Sequence, residues 1–293
     1  MPPAVTIHTV ASVLPDGRVR RHGPRIARWM MSGDWIAAWT FIRLPTAVEH
    51  SRKGGAVWPT VEVVAAVAIA GAAQTISGVG FALIASPLLI FALGHADGVR
   101  LAVAMALLLN AAVLAGTVRA VRWGDALRML IPAAVVVIPT MALTNRLNTV
   151  TLSAAAGVAI LLSVALMASG RRARWADGAA GTITAGAASG ILNVIGAVSG
   201  PPIALLVAHR SWAPRESTAT VQAYSLPLNA ITLPVIGLPT ARPLLLLWAG
   251  VGLFAGIGIA WPFVGRISAK TVRLLVLALA AVGGTSLIAA AIF

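Results

Sequence analysis

The chain has 293 residues, 59% hydrophobic and only 10% charged, with a mean hydropathy of +0.91. Soluble domains carry about 25% charged residues, so a soluble globular protein is excluded and an integral membrane protein is expected. The net charge of +14 would suggest nucleic acid in a soluble protein. Here the basic residues fall between apolar runs and in the N-terminal tail, as the positive-inside rule requires, and no nucleic-acid partner is expected.

In chain order, residues 1–57 read as a basic tail without a spanning segment, either disordered, interfacial or translated from a misassigned start, with Met30 and Met31 as internal starts. Residues 35–41 are too short for the core of a signal peptide. A spanning helix needs about 20 apolar residues. The first apolar block, 57–93, is much longer and is interrupted at Ser77-Gly78-Val79-Gly80. Three apolar runs follow, at 101–118, 127–143 and 150–168. The second half opens with another long, interrupted block, 179–208, and continues with 218–238, 244–264 and 272–293. The pattern predicts an all-α polytopic membrane protein in the lipid bilayer. It has two four-element repeats, 58–175 and 176–293, each a broken or re-entrant helix followed by three transmembrane helices.

Short matches support the duplication. Gly71-Ala72-Ala73 and Gly186-Ala187-Ala188 are 115 residues apart (186 − 71), as are Pro87 and Pro202, and Arg100 and Arg215. Asn145-Arg146-Leu147 resembles Gly265-Arg266-Ile267 after a drift of five residues. Loop charges address how the broken elements run. If each crosses once, the short-loop basic residues divide seven to seven. If each is a hairpin, one side collects Arg119, Arg122, Arg128, Arg171, Arg172, Arg174, Arg210, Arg215, Arg266, Lys270 and Arg273, while the other keeps Arg100, Arg146 and Arg242. The hairpin arrangement obeys the positive-inside rule and gives an inverted repeat, although it leaves the basic tail outside.

Irregular backbone at membrane depth is tolerated only inside protein or beside a water-filled cavity. Glycine permits the turn, and proline suits a first helical turn. New helical pieces starting at Ser86-Pro87 and at Ser199-Gly200-Pro201-Pro202 would point free N–H groups and positive dipole ends at an anion. The candidate substrate-binding residues are therefore Gln74, Ser77, Gly78, Gly80, Ser86 and Pro87 in the first break, and Asn193, Gly196, Ser199, Gly200, Pro201 and Pro202 in the second. Asn110, Gln222 and Ser225 are candidate path-lining residues. The carboxylates Glu62, Asp97, Asp125, Asp177 and Glu216 all lie at or near predicted helix ends, so no buried proton relay is evident. With no cysteine, no HExxH and no nucleotide loop in strand context, no metal, cofactor or enzyme activity is expected.

At these residues the chain resembles the TauE/SafE family of sulfite and organosulfur anion exporters. The resemblance rests on two glycine-rich broken segments, Gly200-Pro201-Pro202 in the second, Pro87-Leu88-Leu89 in the first, and Arg100 and Arg215 shortly after them. It covers residues 58–293 and implies a multi-pass secondary transporter of small anions, such as sulfite or sulfonates, in the bacterial inner membrane. The first segment departs from the family's denser glycine cluster, having Gly78 and Gly80 followed by Phe81. The competing expectation is a non-transporting membrane scaffold or subunit, with the basic tail as its partner surface.

Overall fold

The structure is a computed structural model that describes residues 11–13, 19–21, 58–78, 80–169, 178–210, 212–264 and 266–292. Within the unit Met1–Pro45 the described residues are two short strands, β1 (Ala11–Val13) and β2 (Val19–Arg21), paired antiparallel with Ala11 opposite Arg21. The rest of the expected 1–57 tail lies outside the described residues.

The unit Thr46–Phe293 is helical. The first half holds α1 (Trp58–Ser77), α2 (Phe81–Leu93), α3 (His95–Thr117), α4 (Trp123–Thr144) and α5 (Thr149–Ser169). The second holds α6 (Gly178–Gly196), α7 (Gly200–Arg210), α8 (Pro214–Ile236), α9 (Pro243–Ala260) and α10 (Ala269–Ile292). Among the described residues seven helices, α1, α3, α4, α5, α6, α9 and α10, are long and apolar enough to cross a bilayer. Large apolar residues such as Ile131, Val135 and Ile138 on α4, or Leu244, Leu247 and Phe254 on α9, are exposed. That much bare apolar surface is stable only against lipid. The protein is a polytopic membrane protein.

Both long apolar blocks break where expected. In the first, Gly78 (φ 73) and Gly80 (φ 127) take backbone conformations that favour glycine. In the second, Ala197 adopts φ 56, the one positive value at a non-glycine among the described residues. Its N–H bonds to Asn193 O and that of Val198 to Leu192 O, which closes α6 in the manner of a C-terminal αL cap.

The helix starts in the two halves follow a spacing different from that of the 115-residue matches. Phe81 to Gly200 and His95 to Pro214 span 119 residues (200 − 81, 214 − 95), and Trp123 to Pro243 and Thr149 to Ala269 span 120 (243 − 123, 269 − 149). The 115-residue matches are thus displaced by about one helical turn. A one-turn slip keeps small residues on the same helix face, and both Gly186 and Gly190 pack against the α4 backbone. At a spacing of 119 residues Gly71 falls on Gly190 (190 − 71) and Gly78 on Ala197 (197 − 78).

Side-chain contacts fix how the helices run. At one end of the bundle, Arg210 at the close of α7 donates to Thr182 Oγ1 (2.6 Å) and Gly178 O (3.0 Å) in the first turn of α6, and to Asp125 (3.1 Å) in the first turn of α4. At this basic end Arg122 also pairs with Glu216 at the start of α8, and Arg273 on α10 donates to Met167 O near the close of α5 (2.7 Å). At the far end, Arg100 Nε donates to Ile236 O (2.9 Å) and Thr240 Oγ1 to Asp97 (2.8 Å). The α6–α7 pair therefore starts and finishes at the basic end.

The α1–α2 pair does the opposite. Gly252 and Gly256 of α9 sit on the backbone oxygens of Val64 and Ala68, so α1 runs parallel to α9, away from the far end. From its break the chain returns along α2 to Gly94 and the start of α3 at the far end. α4 and α6 form the matching parallel pair, while α3 with α8, and α5 with α10, run antiparallel. One asymmetry stands out. α2 packs along α3, with Gly98 against the Leu89–Ile90 backbone, whereas α7 makes no comparable packing with α8.

Candidate functional site

The two breaks face one cavity of about 380 Å³. α2, with 13 residues, and α7, with 11, return about 20 and 16 Å from their outer ends at the helical rise of about 1.5 Å. Both returning arms are therefore shorter than a hydrocarbon core about 30 Å thick. Gln74, Gly78, Gly80, Ala197, Ser199 and Gly200 line the inner part of the cavity, and Met167, Ala208, Pro214 and Arg273 line its mouth at the basic end.

Of the sequence-predicted residues, the cavity gathers Gln74, Ser77, Gly78, Gly80, Ser199, Gly200 and Pro201, with Asn110, Gln222 and Ser225 on its walls. Ser86, Pro87, Asn193, Gly196 and Pro202 do not line it. Ser86 is buried inside α2 and donates to Gly196 O. Pro87 lies inside α2 under Gly283 of α10, so the helix does not start at Ser86-Pro87. The two positive-φ glycines end the irregular segment earlier, and α2 begins at Phe81. Asn193, fully buried, donates to Asn229 Oδ1 (3.0 Å) and Thr232 Oγ1 (3.1 Å) and so ties α6 to α8.

The first break is braced by its own side chains. Gln74 Nε2 donates to Gly78 O (3.0 Å), and Gln74 Oε1 accepts the Phe81 N–H (3.1 Å). The second is braced from α8: the buried Tyr224 O–H donates to Ser189 Oγ (2.6 Å), which donates to Ser199 O. The helix starts also differ in donor supply. The first-turn N–H groups of Ala82 and Leu83 have no partner within α2, and both residues line the cavity. At α7, Pro201 and Pro202 have no N–H, so the proline pair that marks the helix start removes two of the donors expected there.

Electrostatics favour an anion. Arg273 is the one charged side chain among the described residues lining the cavity. Beside the mouth, Trp212 lies under Arg122 at 5.1 Å and Arg210 at 6.0 Å. A hydrogen bond to Asp125 foremost, with Glu216 adding to it, holds the Arg122 guanidinium above its ordinary pKa.

The family model described as sulfite exporter TauE/SafE matches residues 63–287. The chain belongs to the TauE/SafE family. Comparison with curated proteins and with solved structures gives no match. The TauE/SafE match covers both broken segments and every residue lining the cavity, and membership makes the chain a member of a membrane transporter family. Sequence reasoning alone missed Arg273, which counted as a loop charge, and noted Asn229 as an intramembrane polar residue without placing it in the site, because the 115-residue register left it without a counterpart. The 119-residue register would have paired Asn229 with Asn110 (229 − 110).

Proposed function

We propose that the protein is a secondary transporter that exports small sulfur oxyanions, such as sulfite and sulfonates, across the bacterial inner membrane. The observation that carries this reading is a cavity at the two helix breaks whose one charged lining residue among those described is Arg273. Anions are drawn to Arg273, then meet the N–H groups that open α2 and the amides and hydroxyls of the inner walls.

Exchange of the parallel pairs α1–α9 and α4–α6 under the 119–120 register supports an inverted repeat, with one re-entrant hairpin entering from each side. Described basic residues at the basic end are Arg119, Arg122, Arg128, Arg210, Arg215, Arg266, Lys270 and Arg273, against Arg100, Arg146 and Arg242 at the far end. By the positive-inside rule the basic end is cytoplasmic. The cavity then opens to the cytoplasm, the side on which an exporter loads, and rocking of the halves carries the site to the other face.

The test is flux in liposomes across a panel of sulfite, sulfoacetate and short alkanesulfonates. Removing the Arg273 charge is worth about 1–2 kcal/mol at intermediate dielectric, so Arg273→Gln should raise KM about tenfold while leaving thermal unfolding in place. A purified protein that moves none of the panel, or an Arg273→Gln variant with unaltered KM, overturns the reading.

A further inference from the structure

We infer that Asn110 and Asn229 are a symmetry-related carboxamide pair that grips the oxyanion at the centre of the cavity; the inference rests on the transporter reading above. Three observations converge on these two residues. Both line the cavity, and both are more than nine-tenths buried, at 7% and 2% exposure. They are 119 residues apart, the register at which the flanking helices α3 and α8 begin and end. Among the described residues Asn110 makes no side-chain hydrogen bond, and its carboxamide atoms are not sealed off, so they open onto the cavity and can meet a ligand there.

Their depths agree. α3 and α8 run antiparallel, with Arg100 level with Ile236 at the far end. Asn110 lies ten residues from Arg100 (110 − 100) and Asn229 seven from Ile236 (236 − 229). The difference of three residues is about 4–5 Å of helix rise. The two amides thus flank the middle of the α3–α8 overlap, where a two-fold axis relating the halves would pass.

Asn229 is also oriented. Its Oδ1 accepts from Asn193 Nδ2, so its own NH₂ is left to donate elsewhere. This gives Asn193 a positioning role: it aims Asn229. An amide NH₂ donates to an oxyanion without the desolvation cost of a buried ammonium, and a pair placed on the axis keeps its spacing when the two halves exchange conformations. Neither feature belongs to Arg273, which stays at one mouth.

Asn110→Asp and Asn229→Asp test the pair. Aspartate keeps the shape and, at position 229, the acceptor for Asn193. When ionised it has no donor and repels an anion; when protonated it offers an O–H in place of the NH₂. Sulfite flux and sulfite-dependent thermal stabilisation are measured from pH 8 to pH 5.5, each as a ratio to the unsubstituted protein so that sulfite's own protonation cancels. The loss of one charge-assisted hydrogen bond predicts KM raised at least about tenfold at pH 8 in each variant, with the ratio recovering as pH falls. A merely structural asparagine would not give that recovery. Asn110→Ser and Asn229→Ser, which keep a neutral donor, should fall between and serve if an aspartate variant does not fold. Unaltered KM in folded variants, or a ratio flat with pH, overturns the inference. Stabilisation by sulfite without flux in the unsubstituted protein overturns the transport reading instead, and its loss in both aspartate variants would still support the pair.

Discussion

Gly98 offers a direct handle on which end of the cavity is open. A Cβ at this position would lie 2.5 Å from Ile90 N and Cα and 2.7 Å from Leu89 C, all backbone atoms that no rotamer change can move aside. Ordinary contact needs 3.4 Å or more, so Gly98→Ala must separate α2 from α3 by about 1 Å, at the cost of about 1–3 kcal/mol typical of overpacking. In the alternating-access cycle proposed above, the closed α2–α3 seam is assigned to the state whose cavity faces the basic end, so the penalty would fall on that state alone. The equilibrium should then move about 5- to 150-fold toward the opposite state.

The chain has no cysteine, so a single Ser217→Cys at the cavity mouth reports accessibility without background. Ser217 stands 119 residues beyond Gly98 (217 − 98) and marks the same place in the second half. In inside-out vesicles, a membrane-impermeant maleimide should label Ser217→Cys more slowly, by a comparable factor, when Gly98→Ala is added. An equal labelling rate in a folded double variant would refute the assignment of the α2–α3 seam as the closed gate.

Two further outcomes follow from packing and hydrogen bonding. A methyl group on Gly256 or Gly190 would overlap Ala68 O or Ala133 O across the parallel helix pairs, so Gly256→Ala and Gly190→Ala should each lower stability by about 1–3 kcal/mol in thermal unfolding, whereas Gly250→Ala, with nothing within 4 Å, should not. Tyr224→Phe removes the donor to Ser189 and should cost about 1 kcal/mol, the scale of buried bonds in membrane proteins. Combined with Ser189→Ala the loss should be less than additive, because both act on one chain ending at Ser199 O.

Much of the architecture was legible because glycine and proline are the least interchangeable residues in an apolar sequence. Gly78 and Gly80 marked a true break, and loop arginines distinguished two ends that the helix directions also distinguish. Register was not legible to the residue. Repeating glycines one turn apart on a packing face make a 115-residue match look as good as the 119-residue one that the helix boundaries follow. Pro87 misled for a related reason: a proline inside an apolar helix reads like a helix start until its neighbours are known. Asn193, the most conspicuous polar residue of the second break, faces α8 instead of the cavity, because a buried carboxamide satisfied by Asn229 and Thr232 is cheaper than one left open. Arg273 was hidden by its ordinary place in a loop-proximal first turn; that it reaches the cavity depends on α5 and α10 lying side by side, which no local pattern encodes.

The hydrogen bond from Ser86 to Gly196 O joins the returning arm of one hairpin to the tip of the other. Neither arm can swing free without breaking a buried bond in a medium that supplies no replacement. In the alternating-access cycle proposed above, this bond makes the two arms travel together, so that opening on one face draws the other face shut. A conformation open at both ends would be a water-filled pore, through which protons and salts would run down their gradients and short-circuit the membrane. Against that leak the protein sets, in the packed interior behind the cavity, a serine hydroxyl that ties two broken helices together.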